Sequence, residues 1–131
     1  MPKIIGEFEV GNMSEETYQD LGDGAKLTRA GGTQVFSGGV TGEGAVQWLM
    51  CYRADGSARF VGLQRIAGAL DGRDGTFIVE ANGDFDGAGS GGTWTVIPGS
   101  ATGGLEGLRG EGEFHAAHGT PATFSLDYRF E

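Results

Sequence analysis

Apolar and polar residues alternate one by one along most of this chain, and no other feature limits its fold as strongly. Near the N-terminus, the stretch IIGEFEV places Ile4, Phe8 and Val10 on one face and Glu7 and Glu9 on the other. Near the C-terminus, TFSLDYRF repeats the pattern. A period of two residues is typical of a β-strand with one buried and one solvated face. Both ends of the chain therefore predict half-buried strands.

Further strand patterns lie between the two terminal strands, separated by turns rich in Gly and Asp such as DGRDG and DGAGSGG. We place these strands near 26–38, 40–53, 58–70, 76–85, 93–97 and 110–116. Residues 12–24 are the one long irregular polar segment, in which Asn12 and Glu15 favour a short helical turn. About eight short strands without a long amphipathic helix predict one all-β domain over residues 1–131. We expect a single antiparallel eight-stranded barrel, with a sandwich as the alternative.

Composition agrees with a small curled sheet and excludes several classes of function. The chain has 27 glycines, which permit the bends, bulges and close backbone approach that such a sheet needs. Its net charge of −9, with nine scattered Lys and Arg, argues against nucleic acid as a partner. No apolar run is long enough to span a bilayer or to act as a secretion signal, and one cysteine cannot form an internal disulfide. We expect a cytoplasmic protein that binds neither nucleic acid nor membranes.

The stretch QWLMCYRADGSARFVGLQ, residues 47–64, predicts a hairpin. If Asp55 and Gly56 form a two-residue turn, Gln47 lies opposite Gln64. The same register predicts an outer apolar face that consists of Trp48, Met50, Val61 and Leu63. An exposed patch of this kind is typical of a subunit contact, so we expect a homo-oligomer.

In this register Gln47 and Gln64 point into the interior of the barrel. A buried amide without a partner costs about 1–3 kcal/mol, so the two side chains should bind each other, water or a ligand. A mutual pair would only fix the strand register, whereas a ligand-facing pair would orient a bound molecule. If the DGRDG turn pairs residues whose numbers sum to 146, Asn82 lies opposite Gln64 and joins this group. Phe60 would form part of the apolar wall of the interior. Two residues of the last strand, Phe124 and Tyr128, would do the same.

A few other side chains are candidates for chemistry. His118 would serve as an acid or base at the mouth of a barrel. Cys51 is either a small core residue beside Phe60 or a nucleophile, and Tyr52 is a third polar candidate. No third ligand accompanies His115 and His118, and GAGSGG precedes a strand rather than a helix. We therefore expect no metal and no nucleotide cofactor.

The chain resembles a family of small bacterial proteins that is known only as a domain of unknown function. The likeness is carried by GDGAKLTRA (22–30), VTGEGAVQWLMCYRADGSARFVGLQRIAG (40–68), TWTVIPGSATGGL (93–105) and GLRGEGEFHAAHGTPATFSLDYRFE (107–131). The resemblance implies an eight-stranded barrel similar to plant allene oxide cyclase, which closes a ring in an epoxide fatty acid inside an apolar cavity. It also implies acidic residues at the positions of Gln47 and Gln64. The amides found there donate and accept hydrogen bonds but do not exchange protons near neutral pH.

The sequence thus leads to three hypotheses about function, because a fold does not fix a reaction. The first is a barrel whose apolar lumen binds a small hydrophobic molecule. The second is an isomerase or cyclase that folds a reactive hydrophobic substrate and excludes water from it. The third is a ligand-free protein whose role is assembly through the Trp48 face.

Overall fold

Nine strands make up most of this protein in the computed structural model, which describes residues 2–117 and 119–131. The strands are β1 (Lys3–Gly22), β2 (Ala25–Gly38), β3 (Val40–Tyr52), β4 (Ala58–Leu70), β5 (Arg73–Asp86), β6 (Gly89–Val96), β7 (Thr102–Gly103), β8 (Leu108–Ala117) and β9 (Ala122–Phe130). None of the described residues lies in a helix. The predicted strands are present, and the prediction missed only the two-residue β7.

The strands form one antiparallel sheet that closes on itself. Its order is β4-β3-β2-β1-β9-β8-β6-β5-β7, and β4 also pairs with β5 along its whole length. Eight strands therefore form a ring, while β7 extends the sheet beside β5. We call the end of the ring with the β3–β4 and β5–β6 turns the upper end, and the opposite end the lower end. The expectation of an antiparallel all-β fold is confirmed.

The first hairpin extends beyond the upper end of the ring. Residues 12–24, expected to be irregular with a helical turn, instead continue β1 as far as Gly22, where Asp23 and Gly24 form a two-residue turn with φ of 55° and 88°. That expectation was wrong because the segment pairs with β2 as a strand that is exposed on both faces. Pairing of β1 with β9 stops at Phe8, so the rest of β1 has only β2 beside it.

The register of the β3–β4 hairpin differs by one residue from the predicted one. Gln47 pairs with Leu63 and not with Gln64. The amide of Gly56 donates to the Arg53 carbonyl at 3.0 Å, and Gly56 has a φ of 88°. These are the features of a three-residue loop in which a left-handed residue follows a type I turn. A shift of one residue exchanges the two faces of a strand, so Gln47 and Gln64 lie on opposite sides of the sheet.

The β4–β5 hairpin has the tighter turn. Asp71 and Gly72 form its whole loop, with φ of 53° and 75°. Asn82 therefore pairs with Val61, and the predicted approach of Asn82 to Gln64 does not occur.

Inward-facing apolar side chains fill much of the ring. Near the lower end the fully buried residues include Leu70, Leu105 and Leu108. Further up, the ring of Trp94 packs against other aromatic rings, with its centroid 5.0 Å from that of Phe124 and 5.6 Å from that of Phe8. The interior is thus a packed core there, and the open space lies elsewhere.

Candidate functional site

An open cavity of about 260 Å³ lies at the upper end of the ring. We call it the upper cavity. Its walls consist of Met13, Glu15, Ala30, Trp48, Met50, Tyr52, Phe60, Phe85 and Ser90. These residues come from six strands, β1 to β6, and most of them are apolar or aromatic. A mainly apolar concave site with a few polar groups is the usual form of a small-molecule site.

Glycines on the inner face make room for two of the aromatic walls. A Cβ atom at Gly62 would lie 2.5 Å from Cδ1 of Trp48, and one at Gly83 would lie 2.8 Å from Cζ of Phe60. Each ring therefore covers a position that has no side chain of its own. The rings of Trp48 and Phe60 also meet, at 6.4 Å between centroids and an angle of 75°. This packing holds both rings in place at the cavity wall.

Glu15 is the acidic residue in the wall of the upper cavity. Its Oε2 accepts a hydrogen bond from the Tyr52 hydroxyl at 2.7 Å and another from Oγ1 of the buried Thr28 at 2.7 Å. Burial, followed by the hydrogen bond and the charge of Glu15, raises the pKa of Tyr52 to about 12. Tyr52 is therefore a phenol at neutral pH and acts as a donor. The two bonds also attach the extended part of β1 to β2 and β3.

Two cationic side chains lie near this group. Nζ of Lys26 lies 5.1 Å from the centroid of the Tyr52 ring, although Lys26 is not part of the cavity wall. Arg29 forms an exposed ion pair with Glu16 at 3.2 Å. Adjacent glutamates of β1 therefore differ in role, since Glu15 lines the cavity and Glu16 pairs with an arginine at the surface.

Some of the residues predicted for the site do lie inside the ring. Tyr52 and Phe60 line the upper cavity. Gln64 is buried, with 2% of its surface exposed, but it is not part of the cavity wall. Phe124 and Tyr128 are also buried, yet they belong to the packed core. Burial and a hydrogen bond with Asp71 raise the pKa of Tyr128.

The one-residue shift in the β3–β4 register moves other predicted residues to the opposite face of the sheet. Gln47 and Cys51 are exposed on the outside of the ring, so the expectation that Gln47 points into the interior was wrong. Trp48 and Met50 line the upper cavity, so Met50 does not share a face with the outward residues as expected, whereas Trp48 also contributes to the outer groove beside them. His118 lies outside the described residues.

Val61 and Leu63 do lie on the outside of the ring, together with Leu49. All three are between 46% and 53% exposed. They line an outer groove of about 480 Å³, whose other walls are Arg29, Gln47, Trp48, Gly62, Glu80 and Asn82.

Comparison with known proteins places this architecture in a family. A model of the family described as "protein of unknown function (DUF3224)" matches residues 4–128. The chain belongs to the DUF3224 family. A crystal structure of a DUF3224 protein with unknown function from Shewanella oneidensis MR-1 is similar to it, with 26% sequence identity and a TM-score of 0.83. That likeness covers 100% of this chain and 98% of the other. No curated protein matches the chain.

The expected membership of a family of unknown function is confirmed for this DUF3224 protein. Across residues 2–117 and 119–131, no helix is long and apolar enough to cross a membrane.

Sequence reasoning missed the polar centre of the site in this DUF3224 protein. Glu15 was assigned to an irregular segment because the alternation of β1 is interrupted there. The register of β1 against β2 shifts between Gly11 and Ser14, and Asn12 has a φ of 50°. A bulge of this kind redirects the side chains that follow it. The only signal of this site in the sequence was Thr28, a polar residue at a buried position in the alternating pattern of β2. The Thr28 side chain lies beneath Glu15.

Proposed function

We propose that the closed ring of this DUF3224 protein is a barrel that binds a small hydrophobic molecule in the upper cavity. The observation that supports this most directly is the cavity itself, which is open and lined by aromatic and aliphatic side chains next to one hydrogen-bonded carboxylate. Apolar walls with a few placed polar groups give affinity through burial and orientation through hydrogen bonds. The ring has eight strands, the number that the resemblance to an allene oxide cyclase-like barrel implies.

Native mass spectrometry of the protein purified from its own host tests this proposal. We expect an adduct that is present in the intact sample and released on denaturation. The variant Ala30→Phe should lose the adduct, because Ala30 is a buried small residue of the cavity wall. Ala67→Phe is the matched control, since Ala67 lies on the exposed outer face of β4. Retention of the adduct by Ala30→Phe would contradict the proposed site.

The contact between Glu15 and Tyr52 favours a second candidate, an isomerase or cyclase that needs no metal or nucleotide cofactor. A carboxylate in the cavity wall is able to accept a proton from a bound substrate, and the Tyr52 phenol, which donates a hydrogen bond to Glu15, holds that carboxylate in place. Incubation of the released ligand with excess protein, followed by mass spectrometry and chromatography, distinguishes the two candidates. An enzyme would give a product of altered retention, and Glu15→Gln would lose turnover even at a ligand concentration that saturates the variant. An unchanged ligand would leave only the binding function.

A further inference from the structure

We propose that the upper cavity selects small organic cations, namely amines or quaternary ammonium compounds with apolar substituents. This inference rests on the proposed function, since it names the class of molecule that the same cavity binds.

Aromatic rings form much of the cavity wall. Four of the nine wall residues are aromatic: Trp48, Tyr52, Phe60 and Phe85. The face of an aromatic ring carries a partial negative charge and attracts a cation within about 6 Å, most strongly for Trp and where water is excluded. Trp48 and Phe60 meet at an angle of 75°, so their planes are not stacked against each other. This edge-to-face contact covers one face of one ring, so a rounded cation such as a trimethylammonium group would contact the remaining ring faces of the wall.

Glu15 supplies a full negative charge in the same wall. Both of its hydrogen bonds end on Oε2, so among the described residues Oε1 has no such partner. An ionised carboxylate only accepts hydrogen bonds, so it disfavours the carboxylate of a fatty acid and favours an ammonium group. The net charge of −9 acts in the same direction by attracting cations to the protein.

The remaining walls are compatible with this class of ligand. Met13 and Met50 present flexible, polarizable thioethers that adapt to substituents of different shape. Lys26 lies over one face of the Tyr52 ring, so that face already contacts a cation and the ligand would contact the other aromatic walls. Since Lys26 is not part of the wall, its charge does not fill the cavity.

A pair of isosteric probes tests the inference with the full chain. Benzyltrimethylammonium and neopentylbenzene have the same shape and differ in having N⁺ or C at the branched centre. We expect titration calorimetry to give a dissociation constant about tenfold lower for the cation, the combined order of a cation–π contact at an open site and of attraction to an exposed carboxylate. Equal binding of both probes, or tighter binding of neopentylbenzene, would overturn the cation selectivity but leave the proposed hydrophobic site intact. If neither probe bound, both the selectivity and the proposed function would be wrong.

Two variants connect the selectivity to the cavity. Glu15→Gln should raise the dissociation constant of the cation about two- to fivefold and leave that of neopentylbenzene unchanged, while the neighbouring Glu16→Gln should change neither. Phe85→Leu keeps an apolar wall but removes a ring, so it gives an independent test if Glu15→Gln unfolds. It should also weaken binding of the cation more than binding of the neutral probe. An unchanged preference in Phe85→Leu and in folded Glu15→Gln would overturn the inference.

Discussion

Gln34 buries a complete amide group inside the ring. It is 1% exposed, and neither its Nε2 nor its Oε1 has a hydrogen-bond partner among the described residues. Its Oε1 lies 3.2 Å from the position that a Cβ atom at Gly44 would occupy, so the glycine there leaves room for the amide. A buried polar group without a partner costs about 1–3 kcal/mol, and an apolar group of similar shape does not incur this cost.

We therefore expect Gln34→Met to raise the free energy of unfolding by about 1–3 kcal/mol, measured by urea denaturation. Gln47→Met is the control, because Gln47 is exposed on the outer face and the same change should have little effect there. A less stable Gln34→Met protein would indicate that water or a ligand satisfies the amide in solution.

At the scale of the element, the same dipeptide Asp-Gly forms two different turns. Asp71 and Gly72 are a complete two-residue loop, whereas Asp55 and Gly56 belong to a loop of three residues. In the longer loop, Asp55 accepts hydrogen bonds from the Ser57 amide at 2.9 Å and the Ser57 hydroxyl at 2.6 Å. The strand bounds on both sides were predictable from alternation. The sheet face on which each side chain lies was not predictable, because it depends on whether the loop has two or three residues.

Gly56 is the position where the left-handed residue of this turn is most easily tested. Its φ of 88° disfavours any residue with a Cβ atom, although no other atom lies within 4 Å of that site. The substitution Gly56→Ala should therefore cost about 1–2 kcal/mol through the backbone alone. Gly87→Ala is the matched control, since Gly87 is equally open and lacks a positive φ in the disfavoured range. Equal urea midpoints for the two variants would contradict the left-handed conformation of Gly56.

At the scale of the whole molecule, the ring was predictable and the site was not. Alternation within each strand is local, so it identifies the strands that must pair, and terminal strands of matching pattern indicate closure. The upper cavity depends instead on the extension of β1 past its last contact with β9, which brings Glu15 to Tyr52. Nothing in the alternation encodes a contact between residues that far apart, and a bulge conceals the inward direction of Glu15.

The outer face of β3 and β4 gives a prediction about assembly. Leu49, Val61 and Leu63 are adjacent there and exposed, with Arg29 beside Leu49 in the register and Glu80 beside Leu63. A two-fold axis through the apolar residues would place Arg29 of each copy against Glu80 of the other. A contiguous apolar patch with complementary charges on its two sides is typical of a contact between identical subunits.

We therefore predict that the protein is a dimer and that Leu63→Glu converts it to single chains, measured by sedimentation velocity over a range of concentrations. Each introduced carboxylate would then face the apolar side chain of Leu49 of the other copy, and a buried charge without a partner strongly opposes association. Val35→Glu is the control, because Val35 is 61% exposed but does not line the outer groove. It should retain the mass of the unmodified protein. A monomeric unmodified protein would rule out a dimer through this face, and an equal loss of mass in both variants would locate the contact elsewhere.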